Sequence, residues 1–152
     1  MSFHNKESGL TLIEIMIVIA IIAIFAGIAI PNFLSYMPKY RLNGAARQVM
    51  GDLMAARMKS VSQNCDVRVA FFEGDAEYNI WTDSNNNDTI DSGEEITKDI
   101  QSDYYDVTIS ATKNIEFHSR GTANPYNDIL LTNSVGLTKS VKVYMTGRVM
   151  IE

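Results

Sequence analysis

Three regimes of hydrophobic patterning follow one another along the chain. From Leu10 to Ile30, 21 residues, Thr11 and Glu14 are the only polar side chains, and no charged residue occurs between Ile15 and Pro38. That length is close to the roughly 20 residues a helix needs to cross a bilayer. A helix apolar around its whole circumference faces lipid or packs inside an assembly. From Tyr40 to Gln63 the apolar positions Leu42, Ala45, Ala46, Val49, Leu53, Ala56 and Val61 recur at three- and four-residue spacing, with Arg47, Asp52, Arg57 and Lys59 mostly elsewhere. This predicts an amphipathic helix, weakened locally by Gly44 and Gly51 and stopped at Asn64. Pro31 and Pro38 lie near the junction, and each removes a backbone donor and tends to kink a helix.

From Asp66 the period changes to two. The stretches DVRVAFFE and AEYNIWT alternate and are joined by Gly74-Asp75, a hairpin spacing. YDVTISAT, NIEFHS, DILLTNS, SVKVYMT and RVMIE follow, with Gly121, Pro125, Gly136 and Gly147 near their joints. Short strands after an amphipathic helix predict an α+β fold. Its long N-terminal α-helix, transmembrane in its first half and amphipathic in its second, packs on a C-terminal antiparallel β domain.

Charge sharpens the middle of the chain. The net charge is −5 over 152 residues, yet the stretch 66–112 alone carries twelve acidic side chains against two basic ones. Cys65 is the single cysteine, which excludes an intramolecular disulfide and a cysteine-built metal site. Without a disulfide, the domain is held by its core, its partners or another sort of metal.

Glu14 is the unusual residue of the apolar run. A carboxylate at the centre of a bilayer costs about 2.5–3.5 kcal/mol on insertion scales, so an intramembrane charge calls for a partner. A secretory signal places its cleavage site after the apolar run, behind small residues, but here Pro31-Asn32-Phe33-Leu34 follow. Gly9-Leu10-Thr11-Leu12-Ile13-Glu14, the apolar run and Pro31 resemble the class III signal of type IV pilins and pseudopilins. The resemblance implies cleavage by a prepilin peptidase between Gly9 and Leu10, methylation of the new amino terminus at Leu10, and filament assembly through Glu14 and Pro31. Leu10 stands where the family most often has Phe. In that family the carboxylate faces the terminal ammonium of a neighbouring subunit, and the physics agrees, because a buried charge is far cheaper paired than alone.

The C-terminal half carries a second resemblance. IEFHSRGTA, DILLTNS and SVKVYMTGRVMIE look like the globular domain of the GspH/FimT group of minor pilins and pseudopilins, whose marks here are Gly121 and Thr146-Gly147-Arg148. The two resemblances together imply a pilin fold. They divide the chain into a leader (1–9), a transmembrane or filament-core helix (10–38), an amphipathic helix (39–64) and a β-rich domain (65–152). Some FimT-type proteins bind DNA through Gly-Arg-x-Arg. This chain has Gly147-Arg148-Val149-Met150, so the second Arg is missing. Lys139, Lys142 and Arg148 are the C-terminal candidates for phosphate contact, which rests on clustered basic residues. The acidic balance argues against nucleic acid as the partner.

A twelve-residue stretch, DSNNNDTIDSGE, has the oxygen spacing of a calcium loop. Asp83, Asn85, Asn87, Thr89, Asp91 and Glu94 occupy positions 1, 3, 5, 7, 9 and 12. Asp88 stands where such loops have glycine, and Asx-rich turns also arise for conformational reasons alone. Calcium is therefore the candidate ligand, at weak, extracellular-grade affinity, and no other cofactor is indicated.

No constellation reads as an active site. His4 falls in the leader, His118 stands alone at a strand end, Cys65 sits at a helix end, and no phosphate-binding glycine loop occurs. The sequence predicts a non-enzymatic subunit of a type IV pilus-like filament, a minor pilin of the GspH/FimT kind. Its partners are other pilins, a prepilin peptidase and the inner membrane, with the C-terminal domain outside the cytoplasm and later in a pilus or periplasmic pseudopilus. The alternatives are a minor pseudopilin of a type II secretion system and a pilus-tip receptor for DNA or another ligand.

Overall fold

A computed structural model describes residues 10–72, 76–83 and 95–152. The leader 1–9, the Gly74-Asp75 joint and most of the calcium-type loop lie outside the described residues. The chain divides into two compact units, Met1–Met37 and Pro38–Glu152. One helix, α1 (Leu12–Gln63, 52 residues), runs through both and is unbroken at Pro31 and Pro38.

Among its described residues, the first unit is helical from Leu12 onward. Thr11 precedes the first helical residue, and the Glu14 N–H donates to Thr11 Oγ1 at 3.3 Å and to the Thr11 carbonyl at 3.1 Å. Thr11 is thus the N-cap, with a Glu three positions on, the residue pattern of a capping box. A carboxylate in the first turn also suits the positive end of the helix dipole.

The second unit layers the rest of α1 with two antiparallel sheets. One sheet has the order β3-β2-β1-β5-β6, from β1 (Asp66–Phe71), β2 (Glu77–Asp83), β3 (Glu95–Asp99), β5 (Ile115–Phe117) and β6 (Ala123–Asn124). The other has the order β4-β7-β8-β9, from β4 (Val107–Ala111), β7 (Asn127–Asn133), β8 (Thr138–Val143) and β9 (Val149–Ile151). Alternation sends Val67, Val69, Tyr78, Ile80, Ile115 and Phe117 inward from the first sheet, and Val107, Ile109, Ile129, Leu131, Val141 and Val143 inward from the second. They close one core with Leu42, Ala45, Ala46, Val49, Leu53 and Ala56 of the helix.

Two details correct the reading of the sequence. The buried stripe of α1 ends at Ser60, not Val61: Ser60 is fully buried while Val61 is 51% exposed. Ser60 follows Ala56 by one helical turn, and its hydroxyl donates to the carbonyls of Arg57 at 2.8 Å and His118 at 3.2 Å, which satisfies it in the core. Second, β3 and β6 were not expected. β3 pairs with β2 at the sheet edge through backbone bonds and has no inward apolar alternation of its own. Gly44 has a purpose beyond weakening the helix. A Cβ there would stand 2.5 Å from the ring of Tyr104, so its absence admits that ring against the helix.

Candidate functional sites

The first candidate is the apolar helix itself. Its most hydrophobic window has no residue buried within the chain. Leu10, Ile13, Ile17, Ile24, Phe25 and Ile28 are each more than half exposed. Glu14 is exposed as well, its backbone tied to Thr11. Among the described residues of the first unit, nothing packs on this surface.

The second candidate forms around the C-terminal glycines. Gly121 and Gly147, separated in sequence, meet in space. Both have positive φ, +80° and +79°, and an added Cβ on Gly147 would lie 1.9 Å from the Gly121 carbonyl oxygen and 2.6 Å from Arg57 Nε. Arg57 Nε donates to that same carbonyl at 2.8 Å. The sequence placed Arg57 off the apolar stripe without a task, because its partner lies 64 residues away. Beside this junction a groove of about 690 Å³ opens between α1 and the segment before β9, lined by Met54, Met58, Val61, Arg57 and Arg148 among others. Arg148 is therefore at its wall. Lys139 and Lys142 are not gathered there with it into one basic patch. They are three residues apart on β8, so they point to opposite faces of the sheet: Lys139 pairs in register with inward Leu131, and Lys142 lies between Asp128 and Met150 on the outer face. Lys142 Nζ pairs with the Glu152 carboxylate, and that hydrogen bond raises its pKa above the usual lysine value.

The third is a charged cluster on the outer face of the first sheet. Register sets Arg68 opposite Glu116 on β5 and opposite Trp81 on β2. Arg68 Nε and Nη2 donate to Glu116 Oε1 at 3.1 and 3.0 Å, and Nη1 lies 3.3 Å from Asp83 Oδ2. His118 is not alone: its Nδ1 is 3.2 Å from Asp66 Oδ2, and Asp66 Oδ1 accepts the Ser119 N–H at 3.3 Å. Asp66, Glu116 and His118 thus come together with metal-ligand atoms within 4.8 Å of one another, but Arg68 already neutralises Glu116. This constellation was invisible in sequence because it depends on strand register. Asp83, the first candidate calcium ligand, is buried against Arg68; Asn85, Asn87, Thr89, Asp91 and Glu94 lie outside the described residues.

Among the side-chain contacts between the helix and the rest of the second unit, two shift a titratable group. Arg41 Nε and Nη2 grip the Asp106 carboxylate at 2.6 and 3.0 Å, with the guanidinium 4.5 Å over the Tyr105 ring. The hydrogen bond from Arg41 holds the Asp106 carboxyl below the usual carboxylate range. Tyr78 donates its hydroxyl to Asp52 Oδ2 at 2.5 Å. Burial, and then that bond, push the Tyr78 phenol well above its ordinary value.

Comparison with known proteins agrees with this geometry. Residues 45–147 match the family described as type II transport protein GspH, and residues 4–30 match the prokaryotic N-terminal methylation motif. The pilin-like protein PilA1 of Thermus thermophilus is 30% identical over 95% of this chain and 97% of its own. Among solved structures, the type IV minor pilin FimU of Pseudomonas aeruginosa superposes with a TM-score of 0.56 at 16% identity, covering 77% of this chain and 92% of its own. The minor pseudopilin EpsH of the Vibrio cholerae type 2 secretion system gives 0.58 at 6% identity, covering 74% and 96%. These likenesses show the shared fold, one long N-terminal helix packed on antiparallel sheets. The family consists of structural subunits rather than enzymes. With a GspH match over most of its length and a methylation motif at its start, the chain belongs to the GspH-type pilin and pseudopilin family.

Proposed function

We propose that the chain is a minor, non-enzymatic subunit of a type IV pilus-like filament. In this reading a prepilin peptidase removes residues 1–9 by cutting after Gly9, and Leu10 becomes the methylated amino terminus. Residues 10–38 then hold the subunit in the inner membrane, 39–64 form the amphipathic part of the helix, and 65–152 form the β-rich part outside the cytoplasm. The subunit leaves the bilayer by packing its helix among those of neighbours. One observation carries the reading: among the described residues, no residue in the most hydrophobic window of the helix is buried. Such a surface needs lipid or other apolar helices around it.

Glu14 gives the assembly its register. Its carboxylate sits one turn into the helix, at the end where a neighbour's free ammonium belongs. In an apolar filament core a paired charge is far cheaper than a lone one. Glu14→Ala leaves membrane insertion and processing intact and abolishes most incorporation into filaments, read by immunoblot of sheared filaments against the membrane fraction. Wild-type incorporation of that variant overturns the pairing.

The second reading, a minor pseudopilin of a type II secretion system, is favoured by the GspH description of the matching family and by the likeness to EpsH. Co-purification decides between them: with long surface pili in the first case, with a short periplasmic filament in the second. A DNA receptor at a pilus tip draws no support from the separated Lys139 and Lys142.

A further inference from the structure

The filament reading leaves unused a group of exposed apolar side chains at the start of the second unit. The turn after β7, residues 134–137, is fastened there through Asn133. The buried Asn133 side chain donates from Nδ2 to the Pro38 carbonyl at 3.2 Å and accepts the Leu137 N–H at Oδ1, 2.8 Å away. The Ser134 N–H donates to the Asp106 carbonyl at 3.0 Å, and Asp106 is the residue gripped by Arg41 under which the Tyr105 ring lies. These bonds join the turn, the segment before β4 and the first helical turn of the unit into one block. The block holds outward Tyr40 (74% exposed), Tyr105 (70%), Val135 (62%) and Leu137 (45%). Turn tips are ordinarily polar; this one presents two aliphatic side chains and anchors them with a buried amide.

Covalent continuity says what lies next to this block. Pro38 closes the charge-free stretch that begins at Ile15. At 1.5 Å per residue that stretch reaches about 36 Å, some 6 Å more than a hydrocarbon core of roughly 30 Å. Pro38 therefore stands at the level of the lipid headgroups when the stretch spans a bilayer, and whatever is bonded to Pro38 stands there too. Tyrosines favour that zone, with ring in the apolar layer and hydroxyl in water. Lys39 is the first charge after the stretch, and a lysine there lays its alkyl stem along the apolar layer and its ammonium in water.

We propose that the end of the second unit around Pro38 is a lipid-contacting surface, with Val135, Leu137, Tyr40 and Tyr105 seated among the headgroups and outer acyl carbons while the subunit waits in the membrane. The proposal rests on the membrane-anchor reading above. It makes departure from the bilayer a two-part event, in which the turn leaves the interface as the helix leaves the core.

The test uses the full processed chain carrying Cys65→Ser, in vesicles of phosphatidylethanolamine and phosphatidylglycerol. Single cysteines carry an environment-sensitive fluorophore, and nitroxide lipids quench either near the headgroup or deep in the acyl region. The positions are Val135→Cys, Leu137→Cys, Ile22→Cys and Arg120→Cys. Arg120 neighbours Gly121 and His118, whose carbonyls accept from Arg57 and Ser60, about 28 Å along the helix from Pro38. The expected result is loss of emission at 135 and 137 with the shallow quencher, loss at 22 with the deep one, and no loss at 120. If 22 is quenched and 135 and 137 behave like 120, the lipid surface is overturned and the anchor stands. If 22 is not quenched, the anchor reading falls and takes the proposal with it. Protection of 135 only in assembled filaments also overturns it and makes the turn a contact between subunits.

Discussion

Gly147 packs its α-carbon so closely on the Gly121 carbonyl that a methyl group there would stand 1.9 Å from the oxygen. Both residues hold positive φ, and Arg57 closes the junction by donating to the same carbonyl. Two glycines that look like separate turn punctuation in the sequence are one contact in the fold.

Gly147→Ala is expected to destabilise the β unit by about 3 kcal/mol, the sum of a left-handed backbone carrying a side chain and a steric clash. The midpoint of thermal unfolding of the detergent-solubilised chain reads the effect. A shift no larger than that of an exposed Ala substitution refutes the packing argument.

Tyr78 contributes to the alkaline limit. Its pKa is raised in the folded chain, so its neutral form is favoured there. The unfolded chain loses that proton near pH 10, and above that point it binds fewer protons than the folded one. Stability contributed by Tyr78 is therefore full below pH 10 and falls as pH rises beyond it. Tyr78→Phe removes this alkaline slope and costs about 1.5–3 kcal/mol at neutral pH by taking a hydrogen bond from a carboxylate. Denaturant melts at pH 7 and pH 11 on both proteins measure the two effects.

Asp106 acts at the acid end with the opposite sign. Its pKa is lowered by Arg41 in the folded chain, so the unfolded chain takes up a proton first as pH falls. The stabilisation is full above the ordinary aspartate value of about 4 and is lost as pH drops through the lower folded value. Asp106→Asn flattens the acid side of the pH–stability curve, and an unchanged curve shows that the ion pair adds nothing to it.

Calcium makes a specific demand of Asp83. To serve as the first ligand its carboxylate must turn from Arg68, 3.3 Å away. Arg68→Gln is then expected to enlarge the calcium-induced rise in melting temperature. Midpoints indifferent to calcium and chelator in both proteins remove the calcium reading.

Much of this molecule is written locally. The charge-free run up to Pro38, the Thr-x-x-Glu start at Thr11 and Glu14, and the alternation of β1, β2, β7 and β8 follow from residue type and spacing. Each concerns neighbours on the chain, where periodicity of 3.6 or 2 decides which side meets water. The edge strand β3 escaped because its pairing is carried by backbone bonds to β2 and needs no apolar pattern. Ser60, one helical turn after Ala56, takes the stripe position expected of Val61, and a distant carbonyl, that of His118, receives its hydroxyl.

The functional details divide along the same line. The fold class and the apolar run from Leu10 were determined by the sequence alone, and the candidate roles of Gly9, Leu10 and Glu14 rest on its resemblance to the class III signal; all depend on residues close together in the chain. Only the tertiary structure decided that Arg57 locks Gly121 to Gly147, that His118 meets Asp66, and that Asn133 fastens an apolar turn to Pro38. Those relations join residues up to 95 positions apart. Strand register and core closure set such distances, and no local period encodes them.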